Sequence, residues 1–249
     1  MLGALQNRFT TPTNGKAEDT GPKKPILEGN LPASWYTEPL FYEFERRAIF
    51  SKHWLLTTHR LRLPEAGSYL RFEIAGFDFL LVRNKEGKIQ AFHNVCRHRA
   101  YPLIDKDAPD EGKRSILSCG YHGWHSSQLT LPPFMGLVKA NGVGWSYNLD
   151  GKLTKAPKFD DLQDFDAAEY SLFKIHTHVD KIGFVWVNLD SAETPTIPWD
   201  KMNGGTDEQP RLDDFNLDEY VYHRTWTTNG KYNWKVVGEN YNEVHPHNP

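Results

Sequence analysis

Two short stretches of this sequence carry residue types that bind transition metals: Cys96-Arg97-His98 and, beyond residues 99–118, Cys119-Gly120-Tyr121-His122. Each supplies one thiol and one imidazole. Thiolates are soft ligands and imidazoles borderline, and a [2Fe–2S] cluster with cysteines on one iron and histidines on the other takes that set. The sequence has 2 cysteines, both in these stretches, so nothing competes for the thiolate role. A structural zinc accepts the same four donors. Zinc sites of this composition usually pair Cys with Cys on a hairpin and His with His on a helix. Here each loop offers one of each, so two facing loops would present two sulfurs to an inner iron and two nitrogens to an outer one. The candidate ligands are therefore Cys96, His98, Cys119 and His122.

Rigid elements must hold such loops. Residues 69–74 and 77–82 alternate with a period of two across a turn at Gly76, and residues 88–92 follow a polar turn at 84–87, which predicts short antiparallel strands leading into the first ligand loop. Residues 172–179 and 184–189 predict a second hairpin through Asp180 and Gly183. His176 and His178 fall on one face of it and read as exposed polar positions, since a third ligand is not nearby. Upstream, Thr37 is placed to cap a helix over 39–51 whose early proline is Pro39. Leu40, Phe41, Phe44 and Ala48 would face a core, with Glu43, Glu45, Arg46 and Arg47 outside. Residues 1–30 carry little apolar surface and are expected to be a disordered leader. The fold class is α+β: a small antiparallel β-sandwich with two cluster-binding loops, followed by the start of a second α+β unit.

Composition sets bounds. The 249 residues are 39% hydrophobic and 24% charged, ordinary globular material. A formal net charge of -3 provides no basic field for nucleic acid. No apolar run reaches the length of a membrane span, and the first residues lack the pattern of a secretory signal. Thiolate ligands imply a reducing compartment, read as cytoplasmic.

The segment Asn94-Val95-Cys96-Arg97-His98-Arg99-Ala100-Tyr101-Pro102, with Cys119-Gly120-Tyr121-His122-Gly123-Trp124 after it, resembles the Rieske domain of ring-hydroxylating oxygenase large subunits. The branch it resembles holds choline monooxygenase and related quaternary-amine oxygenases. The resemblance implies a helical segment over 31–54, a Rieske [2Fe–2S] domain over 55–190, and over 191–249 a linker, best placed at 194–210, with a truncated start of the catalytic domain. It implies a monooxygenase in which the cluster passes electrons from a ferredoxin or flavin reductase to a mononuclear non-haem iron. The implied reaction hydroxylates a quaternary amine such as choline, giving betaine aldehyde hydrate, in a homo-oligomer, a trimer. Glu243 matches the acidic residue that lies between the two iron sites in the family.

Two features depart from that pattern. Residues 124–144 separate Gly123 from Trp145, and joining those two residues would restore the family sequence, so the block is expected to be either translated intervening sequence or a surface loop. After Glu243 the chain reads Val244-His245-Pro246-His247-Asn248-Pro249, which supplies neither the family's histidine spacing nor a later carboxylate. The mononuclear iron ligands are thus expected to be missing, through divergence into non-coding sequence. Two other functions fit the residues: a stand-alone electron-transfer module and a zinc-stabilised interaction domain.

Overall fold

A computed structural model describes residues 31–120, 144–159 and 163–242. The described residues open with two short helices, α1 (Ser34–Thr37) and α2 (Pro39–Glu45), the second running into a π-helical turn over Arg46–Phe50. Ten strands follow: β1 (Trp54–His59), β2 (Ser68–Ile74), β3 (Phe77–Arg83), β4 (Ile89–His93), β5 (Glu111–Lys113), β6 (Leu117–Ser118), β7 (Ser146–Tyr147), β8 (Leu153–Lys155), β9 (Lys174–Val179) and β10 (Phe184–Asn188). Helices α3 (Trp199–Asn203) and α4 (Trp234–Asn242) close the described chain.

The strands form a seven-stranded antiparallel sheet, ordered β1-β10-β9-β4-β3-β2-β5, and a three-stranded one, β6-β7-β8. The expected sandwich of antiparallel strands is there. Alternation along β3 and β4 divides the core in two, because successive side chains leave opposite faces of a strand. Leu80, Val82 and Phe92 point to the layer beneath the small sheet, which also holds Cys96, Cys119, Trp145 and Tyr147. Phe79, Leu81 and Ala91 point to the other layer, with Leu63, Val185 and Val187. The first ligand loop therefore leaves a strand buried on both sides. The β2–β3 turn is two residues long, Ala75 and Gly76, both at positive φ, as a twist-matched hairpin turn requires.

The N-terminal helix does not turn the expected face inward. Leu40 is 64% and Phe44 58% exposed, and Ala48 is exposed too, while Glu45 is only 6% exposed. The reason is the partner surface. Glu45 accepts hydrogen bonds from Trp234 Nε1 at 2.7 Å and Lys235 Nζ at 2.5 Å, both at the start of α4, and Phe50 meets the Trp234 ring edge-on. A buried carboxylate needs a paired cation more than an apolar side chain needs cover, so the ion pair orients the helix. Nor does Thr37 cap it. Its hydroxyl donates to the Ala33 carbonyl, and Glu38 occupies the capping position without a side-chain bond.

Residues 194–210, expected as a linker, pack on the sheet edge: Trp54 Nε1 donates to the Ile197 carbonyl at 2.8 Å, and the Lys181 amide donates to Asp207. Asp190 anchors their start. Its side chain accepts from Lys52 Nζ at 2.6 Å, from the Thr196 amide and hydroxyl at 3.0 and 2.5 Å, and from the Ala192 amide at 3.2 Å. The Lys52 ammonium, then these donors, hold its carboxyl below the usual aspartate range. A lowered folded-state pKa stabilises the protein above the unfolded value, near 3.9, and that contribution disappears as pH falls through the folded value. Asp190→Asn is expected to lose about 2 kcal/mol at pH 7. Urea unfolding of variant and parent should converge as pH drops below about 4; a gap independent of pH would refute the assignment.

Candidate iron–sulfur centre

The first ligand loop leaves β4 and is closed on itself. Cys96 N–H donates to the Tyr101 carbonyl at 2.8 Å and Ala100 N–H to the Cys96 carbonyl at 2.9 Å, with Ala100 in the left-handed region at φ 55°. Asn94, 5% exposed, clamps its base. Its Oδ1 accepts the Leu103 and Ile104 amides, both at 2.9 Å, and its Nδ2 donates to Asp78 Oδ2 and the Ile104 carbonyl. Arg97 spans outward, donating to the Ser171 carbonyl at 2.8 Å and stacking over Phe173.

The second ligand follows β6. Leu117 and Ser118 pair with Tyr147 and Ser146, and Cys119 N–H donates to the Trp145 carbonyl at 2.9 Å. A hairpin thus delivers Cys119 on one arm and Trp145 and Tyr147 on the other. Gly120 is not constrained by space, since a Cβ there would meet only Tyr101 at an ordinary 3.7 Å.

The two thiols meet. Cys96 and Cys119 are 1% and 2% exposed and unbridged, and they share a hydrogen bond. That bond, with lesser help from Tyr147 and the backbone amides of His98 and Arg99, brings the Cys96 thiol down to about 6 against the upward push of burial. Tyr147 Oη lies 3.3 Å from Cys96 Sγ and accepts the Arg97 amide at 3.1 Å. Burial and the adjacent sulfur both raise the phenol's pKa, so it keeps its proton and donates to the thiolate.

His98 is half-buried beside this pair. Its ring stacks on Trp145 and meets Phe159 edge-on. The donor set fits a [2Fe–2S] group: two buried, hydrogen-bonded sulfurs, the Cys96 one also met by the Tyr147 hydroxyl and the His98 and Arg99 amides, with a half-buried imidazole two residues on. His122 and Glu243 lie outside the described residues, as do Tyr121, Gly123, His245 and His247.

Among the described residues no three His, Cys, Asp or Glu side chains converge on one ion position. His176 and His178 part company. His176 Nε2 lies 2.9 Å from the Ala192 carbonyl, and His178 stacks on Trp199 at 4.1 Å; both are half-buried, not exposed as their alternation suggested. Sequence reasoning passed over Tyr147, Asn94 and Trp145. The period-two run Trp145-Ser146-Tyr147 was the available signal for Tyr147 and Trp145, and Asn94 had none beyond its place before Val95 and Cys96.

The domain family described as the Rieske [2Fe–2S] domain matches residues 53–129. The class is therefore a Rieske iron–sulfur protein. Over 88% of its length the chain is 32% identical to the chloroplastic choline monooxygenase of Spinacia oleracea, covering 44% of that protein. Over 86% it is 28% identical to the carnitine monooxygenase oxygenase subunit of Escherichia coli K12, covering 50%. The apo crystal structure of the quaternary ammonium Rieske monooxygenase CntA superposes with a TM-score of 0.66 at 26% identity, over 84% of this chain and 52% of that one. The chain carries a Rieske [2Fe–2S] domain and is similar over most of its own length to Rieske oxygenase large subunits of the choline and carnitine monooxygenase branch. It spans about half the length of these relatives. Among the described residues no helix is long and apolar enough to cross a membrane.

Proposed function

We propose that Cys96 and Cys119 hold the inner iron of a [2Fe–2S] cluster, that His98 and His122 hold the outer one, and that the chain relays electrons in oxygenation of a quaternary amine. The observation that carries this is the thiol pair with its cradle of donors. When bound, such a group takes up and releases single electrons. The protein's part is electrostatic. Tyr147 Oη and the His98 and Arg99 amides place partial positive charge on the Cys96 sulfur, which favours the reduced, more negative state. Core packing around both sulfurs keeps water out, and the loop closures at Asn94, Tyr101 and Trp145 keep the ligand spacing fixed while charge changes. Arg97 and Arg99 are the chain neighbours of His98, and the exposed Arg99 offers positive charge to an approaching ferredoxin or flavin reductase. The relatives' names support a trimethylammonium-type substrate, choline or carnitine, with choline the reading preferred. A trimeric assembly with Glu243 between the iron sites, and a cytoplasmic or plastid location, complete the proposal.

Iron and acid-labile sulfide content, with paramagnetic resonance of the dithionite-reduced chain, tests it. Two irons and two sulfides with a reversible one-electron signal are expected of the cluster; choline consumption when a donor is supplied calls for a third, mononuclear iron. A colourless protein with one zinc would overturn the cluster. A redox-active cluster without turnover of choline or carnitine would leave an electron-transfer protein.

A further inference from the structure

We infer that Trp145 is a positioning residue for His98, acting through its ring face, so that one residue, by its ring and its backbone carbonyl, sets the spacing between the two ligand-bearing loops. The inference rests on the proposed reading of His98 and Cys119 as ligands of one cluster. The His98 and Trp145 ring centroids are 5.1 Å apart with 14° between the planes, and Phe159 meets His98 edge-on at 5.5 Å. An imidazole turns easily about its last torsion, whose preference is broad and two-fold. Its ligand nitrogen is aimed only if the ring is held.

Trp145 is itself immobilised. It is 3% exposed, and Phe159, Phe165 and Tyr170 meet its ring edge-on at 5.3, 5.9 and 5.5 Å. Its carbonyl meanwhile accepts the Cys119 amide at 2.9 Å. The residue thus touches the first loop by its ring and the second by its backbone, which are the two contacts needed to register an imidazole against a thiolate from the opposite loop. Its Nε1, buried, has no hydrogen-bond partner among the described residues. Phenylalanine would keep a ring and remove that orphan donor, so the ring and the N–H are separable.

The test uses the full chain with Trp145→Phe, Trp145→Leu and Phe159→Leu. In the metal-free protein the His98 ring protons, assigned by their absence in His98→Gln, are expected upfield from the indole ring current. That displacement should vanish in Trp145→Leu and largely persist in Trp145→Phe. After iron loading, Trp145→Leu should release iron to a chelator roughly tenfold faster, the scale on which partners of metal-bound histidine act, with Trp145→Phe near the parent. Phe159→Leu should act in the same direction more weakly; it leaves the Cys119–Trp145 bond intact and decides the matter if Trp145→Leu does not fold. Unchanged His98 shifts and iron release in the Leu variants would overturn the inference, as would a Trp145→Phe variant as impaired as Trp145→Leu. If the chain takes up no cluster, the proposed function fails, and the ring-current measurement still decides the role of Trp145.

Discussion

Cys96→Ser is expected to abolish cluster assembly: iron per chain falls to background, and visible absorbance and the reduced-state resonance disappear. A serine hydroxyl at this position has the size of the thiol but neither its softness nor its acidity, so it stays protonated and binds iron poorly. The loss should be confined to the metal. The side chain is buried against Tyr147, whose hydroxyl can hydrogen-bond a serine oxygen, and the loop is closed by backbone bonds from Cys96 and Ala100 that do not involve the side chain. Far-ultraviolet circular dichroism and the melting temperature of the metal-free variant should match those of the metal-free parent. His122→Ala, in the partner position, should also lose the cluster. Retention of parental absorbance and iron by Cys96→Ser would remove the basis of the proposed function.

The second large effect concerns residues 124–144. Their flanks are joined across the hairpin, with Ser118 paired to Ser146 and the Cys119 amide bonded to the Trp145 carbonyl. Deleting the block leaves only residues 120–123 to close that turn, a tetrapeptide with glycine at both ends. Shortening a loop about sixfold lowers its closure entropy by about 1.6 kcal/mol, a rise in melting temperature of roughly 5 °C for a chain of this size. The functional gain should exceed the thermal one, because His122 would then be held two residues from Trp145 and three from Cys119. Several-fold higher iron retention after reconstitution is the expected result. If instead the shortened chain melts lower or holds less iron, residues 124–144 contribute structure of their own and are an evolved loop.

The sequence by itself marked out the candidate donors, their division between two loops and the strands that lead into the first of those loops. Cys96, His98 and Cys119 announce themselves because soft and borderline donors are scarce and their alternation is unusual. The β2–β3–β4 run is legible because a strand buried on one or both faces must alternate or stay apolar. What only the tertiary structure decided concerns polar groups whose partners lie far along the chain. The placement of Glu45 against Trp234 and Lys235 inverted the helix expected from the periodicity of Leu40, Phe44 and Ala48, since local periodicity holds no information about an ion pair formed across the chain. The same is true of Asp190 with Lys52, and of the segment 194–210, whose turn-rich composition reads as a linker although its Ile197 carbonyl accepts from Trp54 Nε1 and its Asp207 carboxylate from the Lys181 amide. Tyr147 and Trp145 belong to this group as well. Their residue types suit any buried strand, and their roles follow from the pairing of β6 with β7, which puts a phenol on one sulfur and an indole on one imidazole. Donor identity is a property of a residue, whereas hydrogen-bond and ring contacts are properties of a pair, and pairs separated by many residues exist only once the chain has folded.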